Sequence, residues 1–242
     1  MLVCMLSLVV CVSCRTSSET TAKTPDEIAL AQSAVREILD MGLQTAAMSV
    51  SWPEGTQLAV SDFTPDEAIA LLQDLDTIPG TRKLFTRYLE QVTVAANLSV
   101  KELAVVIKPF IAGLDIPDPF AIIDGGSTAA TNYFLEQMGA RLDTALTETL
   151  GNRMSGFPDS AVDCWKRFES LYNTYAEAKT RLATATGGTA FTIIEINPME
   201  KAIDTVKKAF IAGMADHEEM VRATAASYDS PALDLFIISD RK

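Results

Sequence analysis

The chain has 242 residues, 48% of them hydrophobic and 21% charged, a balance that supports a folded core and argues against disorder. Twenty Lys and Arg against 32 Asp and Glu give a formal charge of -12, which excludes an extended grip on nucleic acid because phosphate contacts need clustered cations. One histidine and four cysteines, of which Cys4, Cys11 and Cys14 lie at the start, exclude a histidine-rich metal site or a disulfide framework in the body.

Leu2 to Val12 is an apolar run broken only by Ser7. It is shorter than the roughly 17 to 25 residues of a membrane-spanning helix and suits the core of a secretory signal. Residues 1–13 are therefore expected to be removed. Cys11-Val12-Ser13-Cys14 resembles the cleavage and lipidation box of bacterial lipoproteins. That resemblance implies an acylated Cys14 as first mature residue, held on a membrane by two or more chains, since one chain alone binds marginally. The alternatives are a plain cleaved signal peptide or an uncleaved anchor, in which Cys14 is only a small residue near the cut. Residues 14–23, rich in Ser and Thr without apolar periodicity, read as a flexible tether, and 24–242 as one domain.

That body carries repeated helix-start signatures. Thr24-Pro25-Asp26-Glu27 offers a capping hydroxyl, a proline at the first helical position and a carboxylate that reaches back to the cap amide. Ile28, Ala31, Val35, Ile38 and Leu39 follow at helical spacing, and Gly42 marks fraying or a tight contact. Ser49 to Phe63, with Trp52, Pro53 and Gly55, is the longest expected loop. The letters Thr64-Pro65-Asp66-Glu67 repeat the first signature, and Pro79-Gly80 ends that segment. Thr81 to about Asn97 reads as one helix, and Ser99-Val100-Lys101-Glu102 as the start of another, central and enclosed, that Pro109 kinks or splits. Further helices are expected from Thr128 to about Arg153, from Ser160, from Asn197, and in short form from Ser230-Pro231. Ala190 to Ile196 has strand-like residues but no partner strand, so it reads as a buried connector. Cys164, on a stripe with Trp165 and Phe168, reads as a small buried hydrophobe toward which neither Lys166 nor Arg167 clearly points.

The turn before the fifth of these segments carries the most chemistry. Gly125-Gly126 permits a sharp turn and close approach ahead of a helix starting near Ser127 or Thr128, where amides and hydroxyls gather at a positive helix end. Two readings stand. Either the cap is satisfied internally, with Asp124 accepting from those amides, or Asp124, Gly125, Gly126, Ser127, Thr128, Thr131 and Tyr133 form a ligand or anion site. A P-loop is excluded, since no Gly-Lys-Ser/Thr follows, and Ala129 replaces the last glycine of a nucleophile elbow. His217-Glu218 opens like a zinc-protease helix, yet Val221 occupies the place of the second histidine, so His217, Glu218 and Glu219 read as a solvated helix start. No catalytic residue, metal ligand or cofactor is assigned.

Asp124 to Phe134, preceded by Asp118-Pro119-Phe120-Ala121-Ile122-Ile123, resembles the signature of a bacterial family of unknown function, domain of unknown function 4197. His217-Glu218-Glu219-Met220-Val221-Arg222 and Leu233-Asp234-Leu235-Phe236 resemble its ending, so the likeness spans about residues 25 to 238. It implies a mainly helical fold and an exported, envelope location, and supplies no activity or catalytic residue.

The expected architecture is all-α, a single multi-helix domain forming an orthogonal or irregular bundle of about seven to eight helices. The expected role is a non-enzymatic module tethered to the bacterial cell envelope through lipid on Cys14, with an envelope protein or small ligand as further partner and no nucleic acid. The alternative is a hydrolase or transferase using carboxylates and hydroxyls in a cleft near Gly125-Gly126.

Overall fold

The computed structural model describes residues 23–53, 57–187 and 192–239. The leader, Cys14 and nearly all of the tether lie outside the described residues. Within them the chain is helical with no strand, an all-α single domain as the sequence predicts.

Helix α1 (Pro25–Ser49) begins as its letters dictate: the Glu27 amide donates to Thr24 Oγ1 at 3.2 Å, and the Thr24 amide to Glu27 Oε2 at 2.7 Å. Its buried stripe of Ala31, Ala34, Val35, Ile38, Leu39 and Leu43 packs on α7 (Pro198–Thr224). Gly42 marks a tight contact there, since a Cβ on it would lie 3.2 Å from the Met214 carbonyl oxygen. From the other side, a Cβ on Gly213 would lie 3.2 Å from both Ala46 Cβ and Val50 Cγ2. The two backbones approach because neither has a side chain to hold them apart.

The expected loop from Ser49 to Phe63 contains helix α2 (Gln57–Phe63), and Trp52 ahead of it is firmly held. Trp52 is buried; its amide donates to Asn97 Oδ1 at 2.8 Å, and Asn97 Nδ2 returns a bond to the Trp52 carbonyl at 2.9 Å. Its indole N–H donates to Asp62 at 2.9 Å. The next signature behaves differently from its twin. Thr64 is fully buried and its hydroxyl has no hydrogen-bond partner, no side chain caps the segment, and Asp66–Asp74 forms a 3-10 helix. Because the Thr64 amide already bonds to the Val60 carbonyl at the end of α2, its side chain turns into the core and away from the following amides.

Two expected helices are one. Helix α3 (Thr81–Ala112) runs through Ser99, whose hydroxyl is buried on the same face as Ala95, Ala96, Val92 and Leu103. That continuous apolar face outweighs a capping signature. Pro109 falls in the last turn, where it neither splits nor ends the helix early. Helix α4 (Pro119–Ile123) is short and capped by Asp118, which accepts from the Ala121 amide at 3.1 Å. Helix α5 (Ala129–Met154) follows, then α6 (Ala161–Thr186) with Ser160 accepting from the Asp163 amide. Helix α6 ends at Gly187 with φ of 75°. In α7 the cap is Asn197, followed by Pro198 at the first position. The chain closes with a 3-10 turn (Ala225–Ser227) and α8 (Asp234–Ser239), which begins four residues after Ser230.

Helix α3 is the hub, packed against α1, α5 and α6. Its Phe85 and Tyr88 meet Phe168 and Trp165 of α6, with Tyr88 edge-on to Trp165 at 5.0 Å between centroids. The described part of the strand-like segment, residues 192–196, lies along α6. Asn173 bonds both the amide and carbonyl of Ile194, Glu169 accepts from the Ile196 amide, and Trp165 Nε1 donates to the Ile196 carbonyl at 3.0 Å. Side chains of a helix thus satisfy a backbone that has no sheet to join.

Candidate functional site

The turn between α4 and α5 is built around an ion pair from α7. Glu218 is 1% exposed, and its two oxygens accept from the amides of Ala130 and Thr131 at 2.9 and 2.7 Å. These are the second and third residues of α5, donors that no helical carbonyl can reach. Four residues along α7, Arg222 Nε donates to Glu218 Oε1 at 2.9 Å. Its other nitrogens bond the carbonyls of Ile123 and Ile122 at 2.9 and 3.0 Å, and its guanidinium lies 4.6 Å from the Phe236 ring centre. One carboxylate therefore caps the start of α5, while one guanidinium caps the end of α4 and seats α8. Both charges complement the helix ends that they meet.

Gly125 makes the turn compact. A Cβ there would lie 2.8 Å from Ala129 Cβ and 3.0 Å from the Ala121 carbonyl oxygen, whereas one on Gly126 would meet nothing within 4 Å. Gly125→Ala is therefore expected to lower stability by about 1–3 kcal/mol, as overpacking does. Gly126→Ala should be neutral or stabilising by up to about 1 kcal/mol through the unfolded chain. Urea unfolding of the two variants side by side checks this, and equal effects would refute it.

The remaining expected site residues are distributed around the clasp. Asp124 is exposed at the end of α4, and the amides expected to donate to it donate to Glu218 instead. Ser127 donates to Glu219 Oε1 at 2.6 Å, Thr128 accepts from Asn132 Nδ2 at 3.2 Å, and Thr131 is buried. Tyr133 donates to the Asp115 carbonyl at 2.6 Å; burial, with Asp115 and Glu136 adding to it, pushes its phenol above the ordinary range. Glu218 and Arg222 are the residues that sequence reasoning missed, although their four-residue spacing on one helix was a legible sign of pairing.

His217 is not a solvated helix start. It lies well inside α7, is 8% exposed, and neither ring nitrogen has a hydrogen-bond partner. Burial pushes its pKa below the ordinary 6.5, because the charged ring has lost its water. The unfolded chain takes up this proton near pH 6.5 and the folded one only at lower pH. His217 therefore contributes stability fully above that pH and loses it as pH falls through the folded value. His217→Leu should flatten the stability profile between pH 7 and 5 relative to the unaltered protein; superimposable profiles in urea unfolding would refute this.

Cys164 is buried, with its thiol 3.5 Å from the Asp159 carbonyl. Contrary to the sequence reading, Arg167 does point at it, a guanidinium nitrogen lying 3.7 Å from Sγ. Among the described residues no group of three or more His, Cys, Asp and Glu side chains converges to hold a metal ion. No described helix is long and apolar enough to cross a membrane.

No curated protein and no solved structure matches the chain. A family model described as "Protein of unknown function (DUF4197)" matches residues 27–235, close to the span that the sequence motifs suggested. That match covers most of the chain and includes α4, the Gly125 turn, Glu218 and Arg222, so the chain belongs to this family of proteins of unknown function.

Proposed function

We propose that the protein is a non-enzymatic binding module, tethered to the bacterial cell envelope through lipid on Cys14 and presenting its helical body to a partner. The observation that carries this reading is the position of Glu218. The anion that suits the start of α5 is the protein's own carboxylate, bonded to both amides and paired with Arg222. Ser127 and Tyr133, the nearby hydroxyls that a hydrolase or transferase would draw on, are bonded to Glu219 and to the Asp115 carbonyl. The polar groups of this turn thus hold three helices in register, which is the work of a scaffold. The apolar leader and the Cys14 box support the tether.

Protein extracted from its native membrane tests both halves. The expected result is an intact mass showing an acylated Cys14 at the amino terminus and a reproducible partner in the extract. An unmodified Cys14, or turnover of an ester or phosphoester by the pure protein, would overturn the corresponding half.

A further inference from the structure

We infer that the groove between the first turns of α3 and the start of α6 binds a phosphate-type oxyanion. The inference rests on the binding-module reading and names the chemistry of the bound group. The groove has a volume of about 820 Å³ and is lined by Gly80, Lys83, Thr86, Arg87, Asp159 and Arg167, with Leu84 and Glu90 completing it. Three cations face it in a chain whose net charge is -12. Arg87 pairs with Glu90 at 3.1 Å, and Arg167 pairs with Asp159 and, at 3.5 Å, with Asp163. Each guanidinium has five N–H donors, so these pairings leave donors for a further oxygen ligand. Among the described residues Lys83 has no carboxylate partner, which leaves one uncompensated ammonium in the concavity.

The backbone adds to this field. α1, α6 and α7 open with acids in their first turns, as the helix dipole favours, whereas α3 opens with Arg82 and Lys83 and no acid. Its cap is Gly80 with φ of 93°, which has no side chain to offer the first amides. Arg82 is neutralised by Asp76 outside the groove. Positive charge at a positive helix end is a local conflict that a bound anion relieves, and the Thr86 hydroxyl supplies a neutral donor. The volume exceeds that of a free phosphate, so Leu84 is placed to pack an organic body attached to it.

A soluble phosphate ester and a phospholipid headgroup share this chemistry, and one experiment separates them. The full chain is titrated calorimetrically with inorganic phosphate and glycerol 3-phosphate. It is also sedimented with phosphatidylglycerol vesicles, with phosphatidylcholine as reference. At least one probe should bind, about tenfold more weakly to Lys83→Glu and unchanged with Lys101→Glu, an exposed lysine about 27 Å along the same helix. Response to soluble probes identifies a small ester, and response to phosphatidylglycerol alone identifies a headgroup. No binding by any probe, or equal weakening in both variants, would overturn the inference. Lys83→Gln replaces Lys83→Glu if the charge reversal lowers the melting temperature. Binding accompanied by release of phosphate from the ester would keep the groove and overturn the non-enzymatic reading, so the two fail separately.

Discussion

Glu218→Ala is expected to lower the unfolding free energy by about 3–5 kcal/mol, the range for removing one partner of a buried ion pair. The Glu218 and Arg222 side chains are 2% and 11% exposed, so water cannot replace what is lost. Three groups are left unpaired at once: the amides of Ala130 and Thr131, and the guanidinium edge that faced Glu218. Glu218→Gln retains an acceptor for one amide and loses the charge, so its cost should be smaller, about 1–3 kcal/mol. The double variant Glu218→Gln with Arg222→Met should cost less than the sum of the single changes, because neither charge is then stranded. Urea denaturation monitored by circular dichroism measures the unaltered protein, the single variants Glu218→Ala, Glu218→Gln and Arg222→Met, and the double variant. A Glu218→Ala variant within about 0.5 kcal/mol of the unaltered protein would show that the clasp is not a stabilising element.

The second large effect is at the aromatic centre. Trp165→Ala should cost about 3–5 kcal/mol, because a large, 1% exposed side chain leaves a cavity that α3 and α6 cannot close. Trp165 touches Tyr88 and Phe168 and also carries the hydrogen bond to the Ile196 carbonyl. Trp165→Phe separates these roles. It keeps an aromatic ring but drops the N–H donor, so the connector of residues 192–196 should lose protection in hydrogen exchange while the body remains folded. If Trp165→Phe leaves amide exchange at Ile194 and Ile196 unchanged, Asn173 and Glu169 hold that segment without it.

The proposed groove and the clasp stand in useful contrast. Both involve a helix start that lacks a capping side chain of its own, since neither Gly80 nor Thr128 supplies a side-chain bond. At α5 a carboxylate from α7 fills the position. At α3 the flanking charges are cations, and Lys83 remains without a carboxylate partner among the described residues. The same physics that makes Glu218 a structural residue thus makes the α3 groove the better candidate for a ligand from outside.

Local signals were legible where the deciding interactions were local. The capping box at Thr24, the caps at Ser160 and Asn197, and the apolar stripes of α1, α6 and α7 join residues two to four apart, and they could be read directly. The all-α class followed from those stripes. Twin letters at Thr24 and Thr64 gave a capped helix and a buried, uncapped threonine, because α2 decides which way Thr64 faces. Ser99 is another case, where burial of one long face overrode a start signal. The order of pieces, Asp118 to Phe134 and then His217 to Phe236, was enough to suggest the family. That these pieces meet was not: Glu218 lies 88 residues from Ala130, and Arg222 lies 99 from Ile123. By itself the sequence determined the helices whose caps and faces are local, the acidic charge and the absence of a histidine-based catalytic motif. Only the tertiary structure decided that His217 is buried, that the α5 amides are capped by Glu218, and that Lys83, Arg87 and Arg167 share a groove. These outcomes depend on long-range packing, in which side chains distant in the chain compete for the same backbone donors and the same buried space.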